Sequence, residues 1–203
     1  MSKQTMIIAT SNSHKLKEIK SILLDFPIEI KSMDEIGLGG LEIVEDGSTF
    51  EENAIIKAKT VMDKTGLPCI ADDSGLEVDA INKAPGIYSA RFAGEKATDE
   101  KNNEKLLDLL GDIPEKDRTA RFVCAIALVF PEGNNIVTRG TCEGIIGFTQ
   151  KGKGGFGYDP LFIVPSLNMT FGEIDPNVKN KISHRANALE KLKESLREYY
   201  QGD

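Results

Sequence analysis

Apolar positions recur along this chain in two rhythms, short continuous runs and spacings of three to four residues. Met6-Ile7-Ile8-Ala9 is a short apolar run that reads as a strand. Beyond the polar stretch Thr10-Ser11-Asn12-Ser13-His14-Lys15, the residues Leu16, Ile19, Ile22 and Leu23 share one helical face, and Pro27 ends that pattern. Ile28-Glu29-Ile30 predicts a second strand, and the glycine-rich, acidic segment from Gly37 to Gly47 predicts a mobile loop. Thr49-Phe50-Glu51-Glu52 has capping-box spacing and opens a helix with Ala54, Ile55, Ala58, Val61 and Met62 inward. Thr98 caps a further helix carrying Leu106, Leu107, Leu109 and Leu110, which Gly111 and Pro114 close. Two long strand patterns, Arg118 to Phe130 and Asn135 to Ile146, flank a Pro131–Asn135 turn and predict a hairpin. Leu161 to Pro165 is strand-like, and Ser183 caps a last helix with Ala186, Leu189, Leu192 and Leu196 on its inner face.

The chemistry concentrates where these patterns break. The apolar run Leu67 to Ala71 meets Asp72-Asp73-Ser74-Gly75 before an alternating Leu76-Glu77-Val78-Asp79. A buried strand ending in two carboxylates leaves charge at the rim of a sheet, where desolvation disfavours it unless a partner is present, and a divalent cation is the simplest one. The plainer reading is a strand followed by an Asp/Ser/Gly turn. Glu45, just ahead of the capping box, is a second candidate metal ligand or a solvated loop charge. Strand, polar loop and helix start around Thr10 to Lys15 place backbone N–H groups where a phosphate could lie, with Lys15 adding a cation. Ser11, Asn12 or Ser13 serves equally as a simple N-cap.

Two further stretches carry signals. Gly152, Gly154 and Gly157 match G-x-G-x-x-G in spacing, but Tyr158-Asp159-Pro160 leads into a strand pattern rather than a helix, so the dinucleotide reading fails. What remains is a loop that allows close backbone approach, with Phe156 available either to lie on a flat ring or to plug the core. Lys179, His184 and Arg185 gather around the start of the last helix, against the preference of its dipole, which suits an electron-rich ligand.

Length and composition narrow the classes. At 203 residues the chain is expected to be one domain over 1–203, or one domain with a small lobe. A net charge of −7 opposes non-specific nucleic-acid binding. No signal-peptide core and no stretch long enough to span a bilayer is evident, and three cysteines without Cys-x-x-Cys spacing fit a reducing, cytoplasmic setting with buried thiols.

Taken in order and spacing, Thr10-Ser11-Asn12…Lys15, Ala71-Asp72-Asp73-Ser74-Gly75-Leu76, Ala84 to Phe92, Gly155-Phe156-Gly157-Tyr158-Asp159-Pro160 and Ser183-His184-Arg185 resemble the Ham1/inosine triphosphatase family, in its bacterial dITP/XTP branch. The resemblance spans about residues 6 to 198. It implies an α/β fold with a long mixed sheet flanked by helices, two lobes around a central substrate cleft, and a homodimer. It also implies Mg²⁺-dependent hydrolysis of ITP, dITP or XTP to the monophosphate and pyrophosphate. Asp73 then matches the proton acceptor, Glu45 a Mg²⁺ ligand, and Asp72 a neighbour that could join it. Thr10, Ser11, Asn12, Ser13, His14 and Lys15 match the triphosphate loop, and Ser74 a substrate contact. Phe156, Gly157, Tyr158, Asp159, Lys179, His184 and Arg185 match the base contacts. Ser11 stands where many relatives have Gly. Alternative readings are a Maf-type pyrophosphatase acting on modified pyrimidines, a silent nucleotide sensor, and a triphosphatase that releases orthophosphate.

Overall fold

The computed structural model describes residues 4–10, 12–24 and 26–201, without the side chains of 13, 14, 18, 21, 22 and 201. Five α-helices and seven strands are present among them, in the order β1 (Gln4–Ile8), α1 (Ser13–Ile22), β2 (Ile28–Ser32), α2 (Phe50–Thr65), β3 (Cys69–Val78), α3 (Asp99–Leu110), β4 (Thr119–Val129), β5 (Asn135–Ile146), β6 (Phe162–Val164), β7 (Met169–Thr170), α4 (Pro176–Ile182) and α5 (His184–Gln201). The strands form one sheet in the order β2-β1-β3-β4-β5-β6-β7. β1 runs parallel to β2 and β3, while β6 is antiparallel to β5 and β7, so the sheet is mixed and the fold is α/β, as the resemblance implies.

The chain divides into two compact units. The first comprises 1–73, 124–140 and 187–203, and the second 74–123 and 141–186. In the first, Met6 and Ile8 of β1, Ile19 and Leu23 around α1, Ile70 of β3, Ile126 and Leu128 of β4, and Leu189, Leu192 and Leu196 of α5 make one core. β1 is buried across successive residues because parallel strands are covered on both faces, which favours a continuous apolar run over alternation. In the second, Leu76 and Val78 of β3, Leu106 and Leu110 of α3, and Phe122, Tyr158, Phe162 and Phe171 make the other core.

Local signals explain most element ends. Thr49 caps α2 by accepting from Glu52 N at 3.1 Å, but Glu52 Oε2 reaches Ser48 N at 2.6 Å rather than closing on Thr49. Thr98 caps α3 as its spacing predicts. The structure departs from the sequence reading in three places. β3 runs unbroken through Asp72-Asp73-Ser74-Gly75, so no turn lies there. α4 was not anticipated, although Asp175 caps it by accepting from Asn177 N at 2.8 Å and Pro176 stands at its first turn. Lys179 therefore lies in the last turn of α4, where a cation is favoured by the dipole, and not at the start of α5.

Candidate active site

Because β3 stays extended, its side chains alternate, and the adjacent acids Asp72 and Asp73 point to opposite faces of the strand. Each has its own lysine. Asp72, buried at 2% exposure, is 2.7 Å from Lys15 Nζ of α1. Asp73 Oδ1 lies 3.2 Å from Lys57 Nζ of α2, and Asp73 Oδ2 accepts from Asn53 Nδ2 at 3.3 Å. Asn53 and Lys57 are four residues apart and share a helix face. Lys57 Nζ also lies 3.0 Å from Glu45 Oε2, so one ammonium joins the two carboxylates.

Burial acts on both partners. Desolvation pulls the Lys57 ammonium down, but Asp73, Glu45 and Asp72 together outweigh it and its pKa lies above the ordinary value. Desolvation raises the Asp73 carboxyl above the usual carboxylate range, against the lowering effect of Lys57.

The loop carrying Glu45 is tied down at its far end. Asn53 Oδ1 accepts from Gly47 N at 2.9 Å, and a Cβ on Gly47 would come within 2.7 Å of that oxygen and 2.8 Å of Glu52 Cβ. Only glycine lets the chain pass this close to α2. In the first unit a cavity of about 340 Å³ is lined by Thr10, Asn12, Lys15, Asp34, Glu45, Lys57 and Asp72, with Met33, Leu41 and Ile43 as its apolar wall. Asp72 is in that wall, whereas Asp73 adjoins it through Lys57.

Asn12 settles the N-cap question for itself. Its Oδ1 accepts from Lys15 N at 3.2 Å, and its own N–H donates to Thr10 Oγ1 at 3.1 Å, so capping and lining the cavity coexist. Ser11 lies outside the described residues, as do the side chains of Ser13 and His14. Ser74 is half-buried on β3.

Among the described residues no three His, Cys, Asp or Glu side chains come together to hold a metal. The donors that do converge, Glu45 and Asp73, are hard carboxylate oxygens already gathered around a cation, that of Lys57. Mg²⁺ is commonly held by one or two carboxylates with substrate phosphates completing the shell, so this pair fits it. Charge points the same way. Among the described residues Asp34, Glu45 and Asp72 line the cavity with Lys15 and Lys57, and Asp73 adjoins it, an acid-rich setting that would repel a polyphosphate until another cation joined.

In the second unit Phe156 is presented between Gly155 and Gly157, at φ of 77° and 60°, conformations suited to glycine. Phe156 is 45% exposed and does not plug the core. Asp159, buried, accepts from Phe156 N at 2.9 Å and pairs with Lys179 Nζ. Burial raises the Asp159 carboxyl, with Lys179 acting against it. Lys179 Nζ in turn sits 5.2 Å from the Phe156 ring centroid and 5.1 Å from that of Phe171, within cation–π range. Tyr158 belongs to the core, its hydroxyl donating to Ser89 O at 2.8 Å. His184 and Arg185 are buried at the start of α5, with the His184 ring stacked on Phe122 at 4.9 Å. The next element after the Gly152–Gly157 loop is the strand β6, which accords with rejecting the dinucleotide fingerprint.

Lys57 and Asn53 were missed by the sequence reading. Their signal was available, since two polar residues at i and i+4 flank the inward Ala54 and Ala58 of a helix otherwise assigned to the core.

Fold and site define a class: an α/β protein with a lysine- and carboxylate-lined cavity beside its first strand. Residues 6–195 match the model of the Ham1 family, and the chain belongs to that family. It is 50% identical over 195 residues to the dITP/XTP pyrophosphatase of Desulforamulus reducens, covering 96% of each chain. It is 48% identical to that of Haemophilus influenzae, covering 96% of this chain and 100% of the other. Among solved structures it is similar to a HAM1 protein from Coxiella burnetii, with TM-score 0.90, 45% identity and coverage of 96% and 99%. The Staphylococcus aureus Ham1 protein superposes with TM-score 0.88 at 43% identity, covering 96% and 98%.

Proposed function

We propose that this chain hydrolyses the non-standard purine nucleoside triphosphates ITP, dITP and XTP to the monophosphate and pyrophosphate, using Mg²⁺. Its likeness to dITP/XTP pyrophosphatases over nearly its whole length supports the reaction. The observation that carries the chemistry is Lys57 shared between Glu45 and Asp73, in a first unit whose cavity also holds the Lys15–Asp72 pair.

Phosphoryl chemistry of this kind rests on positioning and charge neutralisation. Bound Mg²⁺, held by Glu45 and Asp73 with Asp72 nearby, would neutralise phosphate charge and make the attacking water more acidic. Asp73 takes the water's proton as its oxygen bonds to the α-phosphorus, and the bond to the pyrophosphate oxygen breaks. Asn53 and Lys57 hold the Asp73 carboxylate at a fixed angle for that transfer. Lys15, Lys57 and the Thr10–Lys15 backbone take the triphosphate's remaining charge, and Ser74 adds a contact.

Phe156, Gly157, Tyr158 and Asp159, with Lys179, His184 and Arg185, are assigned to the base. Tyr158 and Asp159 act by holding the loop, since both are buried. Donors from Lys179, His184 or Arg185 suit the 6-oxo acceptor of hypoxanthine or xanthine and oppose the 6-amino donor of adenine. Unpaired polar groups of this kind can reject an analogue by about 10⁴-fold.

The same reading carries a homodimer and a cytoplasmic location. No helix among the described residues is long and apolar enough to cross a membrane. The test is a substrate panel with Mg²⁺ and with chelator. ITP, dITP and XTP should each yield the monophosphate and pyrophosphate, ATP should be poor, and chelation should stop turnover. Turnover of UTP or dTTP in preference to ITP would favour the Maf-type reading, and release of orthophosphate would contradict both.

A further inference from the structure

α3 holds the Phe156 loop by both ends of a single residue. Gly157 donates its N–H to Asp99 Oδ2 at 2.7 Å, and its carbonyl accepts from Asn103 Nδ2 at 2.9 Å. Asp99 and Asn103 are four residues apart, one turn along one face of the helix. Gly157 follows Phe156 directly, and on the other side Asp159 accepts the Phe156 N–H while pairing with Lys179. Phe156 is thus an exposed ring whose backbone is fixed from both directions.

Asn103 is 2% exposed, and its Oδ1 has no hydrogen-bond partner among the described residues. A buried acceptor left unpaired is unfavourable, and a leucine of similar size would pack against Leu106 and Leu110 without it. The amide is therefore oriented by the Gly157 carbonyl at the expense of its other end. The neighbouring Asn102 makes the same kind of clamp with both ends satisfied, accepting from Ala93 N at 2.8 Å and donating to Ala90 O at 3.1 Å.

We propose that Asn103, with Asp99 one turn before it, is a positioning residue that fixes Phe156 for stacking on the substrate's base. The inference rests on the base assignment proposed above. It touches no reacting atom, so its loss should weaken recognition of the base and spare the hydrolytic step. The test compares the wild-type chain with Asn103→Leu and Asp99→Ala. Four readouts are followed: steady-state kinetics on ITP, inhibition by inorganic tripolyphosphate with Mg²⁺, amide hydrogen exchange over residues 153–158, and the thermal unfolding midpoint.

For Asn103→Leu, KM for ITP should rise about 10-fold with kcat within about 2-fold, since small displacements of a positioning group act on binding geometry. Exchange over 153–158 should accelerate, inhibition by tripolyphosphate, which has no base, should be unchanged, and the thermal midpoint should not fall. Asp99→Ala, at an exposed site, should move the same readouts in the same direction. Faster exchange with unchanged KM overturns the positioning role alone. A falling thermal midpoint, with KM and tripolyphosphate inhibition worsening together, overturns it in favour of a plain folding role. A wild-type chain that leaves ITP intact overturns the functional reading itself, while the exchange data still report whether the clamp exists.

Discussion

Asp73 and Asp72 are neighbours in sequence with separate partners, because an extended strand sends them to opposite faces. Asp72 is locked to Lys15 and nearly sealed from solvent, which suits a charge-balancing role. Asp73 is oriented by Asn53 and Lys57 and raised in pKa by burial, which suits proton acceptance nearer neutrality. Replacing Asp73 by Asn keeps the shape and removes the proposed base. Turnover of ITP should fall by about 10²- to 10⁴-fold while KM changes little. Normal kcat in Asp73→Asn would remove Asp73 from the chemistry. The cysteines give a second prediction at this scale. Burial pushes the Cys69 thiol up to about 12 and the Cys142 thiol up to about 11. At pH 8 the thiolate of Cys142 is then about one part in a thousand, and that of Cys69 less, so neither should react with a disulfide reagent until urea exposes it. Rapid labelling of the native protein at pH 8 would contradict the burial.

At the scale of elements, β4 and the turn after β3 are joined by charge. Arg121 donates through Nη1 and Nη2 to the two carboxylate oxygens of Asp79 at 3.1 Å each, and its Nε reaches Glu143 Oε2 at 3.0 Å. The Arg121 guanidinium, with Lys83 and Thr119, holds the Asp79 carboxyl well below the usual range. A carboxyl depressed in the folded state stabilises the fold above its unfolded pKa of about 3.9, and that stabilisation is lost as pH falls through the lower folded value. The urea midpoint should therefore decline below about pH 4, and Asp79→Asn should flatten that decline. An identical acid profile in the variant would assign the loss to other carboxylates.

Elements also differ in how legible they were. α2, α3 and the β4–β5 hairpin follow from periodicity and from Thr49, Thr98 and Gly111, because those signals act within a turn or two of the chain. β3 was misread at Asp72-Asp73, where turn-prone residues lie inside a strand. Lysines brought from α1 and α2 make those charges tolerable, and short-range rules cannot see such partners. α4 escaped notice despite Asp175-Pro176 because its seven residues offer too short a window for a helical period.

For the molecule as a whole, the two compact units carry different chemistry. The first gathers lysines, carboxylates and the strand-to-helix loop around one cavity. The second presents Phe156 from a glycine-flanked loop with Lys179, His184 and Arg185. Thr10–Lys15 and Asp72–Asp73 fall in one unit and Gly155–Pro160 and His184–Arg185 in the other, while the motif Ala71 to Leu76 crosses from the first to the second. Neither Lys57 nor Asn103 belongs to those motifs. Each matters through a partner distant in sequence, Asp73 for one and Gly157 for the other.

The position of bond cleavage is the point on which the whole account turns. Hydrolysis of ITP with Mg²⁺ in ¹⁸O-enriched water, with the products resolved by mass spectrometry, reads it directly. Attack at the α-phosphorus predicts label in inosine monophosphate and none in the pyrophosphate released. Label in pyrophosphate or orthophosphate, with unlabelled nucleotide, would mean that this cavity cleaves a different bond.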